Sequence, residues 1–230
     1  MRRFLGGAEI AVVAVLWAAL IVGSAVSALT VPVYTSALTQ ALGVPASSGL
    51  PAADVVKLSG EVRALVADAT YKPLPATWEG QPAFDAAAVS HLMDVRRVIS
   101  AGRFATGLAA LLLAVYVGAC LMRRRFGQMA LGMNVAAGLI AVSAVLAVVA
   151  AVVDFDALFA AFHGLFFAAG TWMFPADSLL IRLFPERFWE VSGGAWAALT
   201  LLGAGLLVVC ARLLRTAAAR VDASRTANNV

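Results

Sequence analysis

The sequence predicts an all-α membrane protein with four transmembrane helices, an extracytoplasmic helical cap and short interfacial helices. Three observations carry that reading. First, 62% of the 230 residues are hydrophobic and 13% charged, with a mean hydropathy of +0.91, whereas a soluble domain is about half apolar and a quarter charged. Second, residues 10–29, 104–122, 126–153 and 191–211 contain no charge. Each run is close to the roughly 20 residues that a helix needs to cross a hydrocarbon core of about 30 Å. Third, the basic residues are placed asymmetrically about these runs.

Arg2 and Arg3 precede the first run, Arg123, Arg124 and Arg125 join the second and third, and Arg212, Arg215, Arg220 and Arg225 follow the fourth. By the positive-inside rule these nine lie on the cytoplasmic side, with only Glu9 and Asp222 as acids there. The other side holds eight basic and eleven acidic residues. Both termini are therefore expected in the cytoplasm of a multi-pass inner-membrane protein. The formal charge of +4 is the mark of insertion and of attraction to anionic lipid, with no nucleic-acid partner implied. The first apolar run exceeds the 7–15 residues of a signal-peptide core, so it reads as a retained helix. Cys120 and Cys210 fall at cytoplasmic helix ends, which argues against a disulfide and for small apolar residues in the interior.

The chain reads as one membrane domain, 1–230, with spans at about 10–29, 104–122, 129–153 and 193–211. Between them lie an outer cap, 30–103, and an outer interfacial segment, 154–192. After the first helix, Pro32 predicts an extended exit. Residues 47–51 read as a loop. Val55, Leu58, Val62, Leu65 and Val66 recur at helical spacing within 52–69, and residues 77–82 read as turns. This cap is predicted to have no large core of its own. Asp85 is the expected N-cap of a helix that continues into the second span. In the interfacial segment Asp156 is expected to cap a helix over 157–168, and Asp177 a second helix ending at Phe184. Pro185 would open a third. Phe159, His163, Phe166 and Phe167 share one face of the first of these helices.

The chain contains only two histidines, His91 before the second span and His163 after the third. If those spans form a hairpin, the two rings lie close together at similar depth. Asp94, three residues from His91, shares its helix face and is able to fix a tautomer or stabilise an imidazolium. Two histidines and a carboxylate at a lipid interface suit general base catalysis of acyl transfer from a lipid ester. A zinc site formed by His91, His163 and Asp94 ranks below it for want of a third histidine. A serine hydrolase built on Ser90 or Ser178 ranks last, because no Gly-x-Ser-x-Gly elbow is present. The absence of ionisable residues from the third span argues against a pump or channel. The alternative without chemistry is a four-helix scaffold in which the histidines are incidental.

His91-x-x-Asp94-Val95, together with Phe162-His163-x-x-Phe166-Phe167, Trp172, Asp177, Leu180, Pro185 and Phe188, resembles the bacterial lipoprotein intramolecular transacylase family. The resemblance implies transfer of an acyl chain from the diacylglyceryl group of a lipoprotein's N-terminal cysteine to its own α-amino group, giving a lyso-form lipoprotein. The partners are then the diacylated lipoprotein N-terminus and lipid, and no cofactor or metal is required. An imidazole is suited to taking the proton of an attacking amine near neutral pH. On this reading His163, His91 and Asp94 are catalytic. Arg96, Arg97, Trp172, Asp177, Phe166 and Phe167 bind substrate, and Arg96, Trp172 or the second imidazole supplies donors to the tetrahedral oxyanion.

Overall fold

Each charge-free run becomes part of a long helix, because in the membrane only intrahelical bonding satisfies the backbone. The computed structural model describes residues 2–78 and 80–228. The first half of the chain forms α1 (Arg2–Leu29), α2 (Pro32–Ala41), α3 (Val44–Ser48), α4 (Ala52–Ala67), β1 (Thr77–Trp78) and β2 (Gln81–Pro82). The second half forms α5 (Ala86–Met122), α6 (Phe126–Val153), α7 (Phe155–Phe166), α8 (Leu179–Leu183) and α9 (Glu186–Asn228). Among the described residues, α1, α5, α6 and α9 supply four helices long and apolar enough to cross a membrane. With 37 residues and a rise of about 1.5 Å each, α5 is far longer than a bilayer core requires. Its first half precedes the run 104–122, is more polar, and carries His91.

Several local expectations are corrected. Pro32 does not end in extended chain: it occupies the first turn of α2, where its missing N–H costs no hydrogen bond. Ser47 and Ser48, at the start of the expected loop 47–51, belong instead to the short helix α3, bounded by Gly43 and Gly49, both with left-handed φ. The turn region 77–82 contains a minimal antiparallel pair, Thr77 opposite Pro82 and Trp78 opposite Gln81; Glu79 lies outside the described residues. Asp154, not Asp156, caps α7 by accepting from the Ala157 N–H at 2.9 Å. Ser178, not Asp177, caps α8 through the Ile181 N–H at 3.4 Å. The helix after Pro185 is no separate element but the start of α9.

The chain divides into two compact units. The first comprises the described residues of 1–25, 104–146 and 197–230. Its core is built from small and flexible side chains: Ala14, Cys120, Met129, Ala130, Met133, Ala136, Ala137, Ala204 and Ala211, with Ile140 and Leu207. Small residues let helices approach closely, and at the tightest points only glycine fits. A Cβ at Gly203 would lie 2.5 Å from Ile21 Cγ2, and one at Gly132 would lie 2.9 Å from Val13 Cγ1. Arg125 pairs with Glu9 at 3.0 Å. Cys120 is buried as expected, whereas Cys210 is exposed.

The second unit comprises residues 26–103 and 147–196. The cap residues, expected to have no large core of their own, share one with the interfacial segment. Leu38, Val44, Val55, Leu58, Val62 and Leu65 pack with Phe84, Ala88, Leu92, Leu180, Leu183, Phe184 and Phe188. Helix α8 packs on α3 and α4, and Phe184 and Phe188 extend the core that residues 30–103 form only in part. Arginines fasten this unit by satisfying carbonyls at helix ends, which have no intrahelical partners and carry partial negative charge. Arg182 donates to the Ser48 carbonyl through Nε at 3.1 Å and Nη2 at 2.7 Å. Arg103 donates to the Ala67 carbonyl and to Thr30 Oγ1. Arg63 forks onto Asp68, both bonds 2.7 Å. This arrangement holds the Asp68 carboxyl below the usual carboxylate range, the Arg63 hydrogen bonds being the main cause.

Candidate active site

Three segments of the second unit build the site. Asp85 caps α5 by accepting from the Ala88 N–H at 2.7 Å. One face of the following turns, Ala88, His91 and Leu92, is buried against the core. His91 is only 8% exposed, a degree of burial usual for an imidazole only where its environment is specific. α7 contributes His163 in its last turn and has no buried residue. Phe162, Leu165 and Phe166 are exposed at 53%, 78% and 49%. Beyond α7 the chain turns through Gly170 at φ 81°, with Thr171 Oγ1 donating to the Ala168 carbonyl at 2.8 Å. That turn delivers Trp172 and Phe174 back toward the histidines.

The two imidazoles are stacked, their centroids 6.1 Å apart and their planes 30° from parallel. Phe167 meets His91 edge-on at 4.8 Å, and Phe174 lies 5.6 Å from His91. Around His163, Phe159 is at 4.0 Å and Trp172 at 4.7 Å, with Phe167 at 5.6 Å and Phe162 at 5.7 Å. The Nδ1 atom of His163 is 2.8 Å from the Phe159 carbonyl oxygen. A carbonyl can only accept, so the proton sits on Nδ1 and the lone pair of the neutral ring is on Nε2. His91 Nδ1 and Trp172 Nε1 are buried without a hydrogen-bond partner.

Both histidines lie outside the charge-free runs, and burial pushes both below the ordinary imidazole pKa. For His91, burial is the first cause, the neighbouring His163 acts in the same direction, and Asp94 pulls back. For His163, burial is opposed by the hydrogen bond to the Phe159 carbonyl. The aromatic enclosure therefore favours two neutral imidazoles near neutral pH, the form in which one can accept a proton.

The remaining candidates divide into those at the histidines and those elsewhere. Phe167 and Trp172 contact them, and Phe166 adjoins Phe167 at 6.2 Å. Asp94 forms an ion pair with exposed Arg97, so that carboxylate acts on His91 through space. Arg96 is engaged away from the rings. Its Nη1 donates to the Leu65 and Asp68 carbonyls at 2.6 and 2.8 Å, and its Nη2 to Ala69 at 3.2 Å. The same guanidinium lies 4.3 Å over the Tyr71 ring. Asp177 lines a cavity of about 460 Å³ together with Trp78, Asp85, Ala88, Phe174 and Arg182. Phe174, which contacts His91, and Phe159, which fixes His163, were not among the sequence-derived site residues. Phe159 was visible only as a neighbour on the same helix face, because a contact through a backbone carbonyl leaves no trace in side-chain type. Among the described residues no three His, Cys, Asp or Glu side chains converge as a metal set.

Residues 10–189 match the family described as lipoprotein intramolecular transacylase Lit, a stretch that includes both histidine segments. No curated protein matches the sequence. Among solved structures, the fold is similar to that of the membrane-integral lipoprotein intramolecular transacylase Lit from Bacillus cereus. The TM-score is 0.75 at 13% identity, covering 91% of this chain and 97% of that one. A variant of the same Bacillus cereus protein with a histidine changed to arginine matches at a TM-score of 0.70 and 14% identity, covering 98% of each chain. One with a histidine changed to alanine matches at 0.70 and 14%, covering 94% of this chain and 98% of that one. With its four membrane-length helices and a family match over most of its length, the chain belongs to the lipoprotein intramolecular transacylase family and is a membrane acyltransferase.

Proposed function

We propose that the protein converts diacylated lipoproteins to the lyso form, with His163 as general base and His91 as its partner. The substrate is a lipoprotein whose N-terminal cysteine carries a diacylglyceryl group and a free α-amino group. The observation that carries this reading is the histidine pair itself, in which the Phe159 carbonyl leaves the Nε2 lone pair of His163 free beside a second, buried imidazole.

The neutral amine attacks one ester carbonyl carbon, and His163 Nε2 takes a proton from the nitrogen as the N–C bond forms. Collapse of the tetrahedral intermediate breaks the bond to the glycerol oxygen. The departing alkoxide recovers that proton from the imidazolium, so the products are an amide and a glycerol hydroxyl. Atoms and protons balance without a co-reactant. Donor and acceptor belong to one molecule, so holding them in contact supplies much of the rate advantage. His91 disfavours a second positive charge on the pair and so helps the proton leave. Exposed Phe162, Leu165 and Phe166 suit acyl chains, with Phe167 and Trp172 walling the reacting end. Arg97, exposed beside Asp94, and Asp177, which lines the cavity next to Phe174, are assigned to the polar parts of the substrate. The nine basic residues flanking the spans support, by the positive-inside rule, an orientation with both termini in the cytoplasm and this site at the outer face.

The test is expression in a bacterium unable to N-acylate its lipoproteins, with lipopeptide N-termini read by mass spectrometry. Lyso-form lipopeptides are expected with the natural chain and not with His163→Ala. Absence of the lyso form, or equal amounts from the variant, overturns the function or the residue assignment respectively.

A further inference from the structure

When an amine attacks the ester, the carbonyl oxygen becomes an oxyanion and needs a donor aimed at it in a water-poor site. Residue type alone leaves Arg96, Trp172 and the second imidazole as candidates. The guanidinium of Arg96 is spent on the Leu65, Asp68 and Ala69 carbonyls. Trp172 Nε1 is buried and has no hydrogen-bond partner, while its ring lies 4.7 Å from that of His163, tilted by 34°. His91 Nδ1 is likewise buried without a partner. An imidazole nitrogen, however, either donates or accepts, and this ring is already assigned as the partner of the base, whereas an indole N–H can only donate.

An unpaired indole N–H by itself identifies nothing, since Trp17 also has one. What singles out Trp172 is its place against the proposed base. Nearby Trp189 shows the contrast: its Nε1–H donates to the Phe184 carbonyl at 3.2 Å. The fold thus supplies an acceptor to one indole of this aromatic group and withholds it from the one beside His163. A shielded donor without a partner costs stability, and an acceptor that arrives with the substrate recovers it.

We propose that Trp172 is a catalytic residue whose indole N–H donates to the ester carbonyl oxygen as it becomes an oxyanion. This rests on the acyl-transfer reading above. The N–H does not transfer its proton. It stabilises the negative oxygen while the electron pair of the C=O bond resides there, and releases it when the carbonyl re-forms and the glycerol C–O bond breaks.

The experiment uses the full chain in nanodiscs and a synthetic diacylated lipopeptide with a free N-terminal cysteine, product being followed by mass spectrometry. Trp172→Phe keeps an aromatic ring and removes the donor. It is expected to lower kcat by about 10²–10³-fold, with KM changed far less and the pH dependence of kcat unmoved. Replacement of Trp172 by benzothienylalanine, which keeps the bicyclic shape and loses only the N–H, is expected to give the same loss and guards against misfolding of the Phe variant. Near-wild-type kcat in either replacement overturns the proposal, as does a loss accompanied by a shifted pH profile, which would mark Trp172 as a positioning residue for His163. If the natural chain itself forms no lyso lipopeptide, the acyl-transfer reading falls and this proposal with it.

Discussion

His163 reaches back one helical turn and donates its Nδ1–H to the carbonyl of Phe159, 2.8 Å away. That bond fixes both the tautomer and the direction of the ring, leaving Nε2 for a substrate proton. A side chain that kept only the donor near Nδ1 would satisfy the same carbonyl and still lack the base. His163→Asn is therefore expected to fold normally and, like His163→Ala, to lose about 10²–10⁴-fold in kcat, the range that removal of a general base produces. Initial rates with a synthetic lipopeptide, alongside thermal melting of each variant, test this. Substantial activity in the Asn variant would move the base elsewhere.

The pH dependence has a determinate sign. Burial lowers the pKa of both histidines, and for His91 the adjacent His163 adds to the effect. The neutral, active form therefore persists below the ordinary imidazole value of about 6.5. kcat should be flat near neutral pH and fall only below that value, as the pair takes up a proton. In kcat/KM a further limb near about 8 belongs to the free substrate ammonium. Stability follows the same sign: a lowered folded pKa stabilises the fold above the unfolded value, and this contribution is lost as pH falls through the folded one. Replacing His163 by Gln removes the charge that depresses His91, so the His91 pKa should rise, which imidazole NMR signals will report. A fall in kcat already beginning above neutrality would contradict the assignment.

Arg96 offers a test of which arginine serves the fold. It closes the end of α4 by donating to three carbonyls and lies over Tyr71, whereas Arg97 is exposed beside Asp94. Hydrogen bonds from a charged donor contribute about 1.5–3 kcal/mol each, not additively. Arg96→Ala should therefore cost on the order of 3 kcal/mol, read as a lowered denaturation midpoint. Arg97→Ala should cost under about 1 kcal/mol, because exposed pairs contribute little. Should Arg96→Ala instead leave stability intact and raise KM alone, its guanidinium serves substrate.

The parts of this protein that were legible in sequence are those governed by composition and period. Four charge-free runs became four membrane-length helices, and Asp85 capped α5 where its position before an apolar stripe required. The pairing of His91 with His163 followed from their positions flanking consecutive spans. What escaped were features set by tertiary contact. Asp154 and Asp156 are equally good capping residues in isolation, and only the end of α6 at Val153 decides between them. The bonds from Arg96 to the carbonyls at the end of α4 leave no sign in its position beside a span. The sharing of the cap's core was not visible because five of its sixteen buried residues, Leu179 to Phe188, lie over 80 residues further along the chain than α5's start. Local propensity carries no information about such a partner.

Membrane orientation rests on the arginines flanking the spans, and a labelling experiment tests it directly. Positive charge is retained on the cytoplasmic side, and nine basic residues fall at the span ends assigned there, which predicts that the α5–α6 turn faces in and the cap faces out. Arg123 and Lys72 are both exposed and lie on opposite sides in this scheme. In a chain with Cys120 and Cys210 replaced by Ala, a cysteine introduced as Lys72→Cys should react with a membrane-impermeant maleimide in cells whose inner membrane is intact. One introduced as Arg123→Cys should react only after that membrane is opened. The reverse pattern would put the histidine pair on the cytoplasmic face, where the N-terminus of an exported lipoprotein cannot meet it, and would leave the proposed substrate without a route to the site.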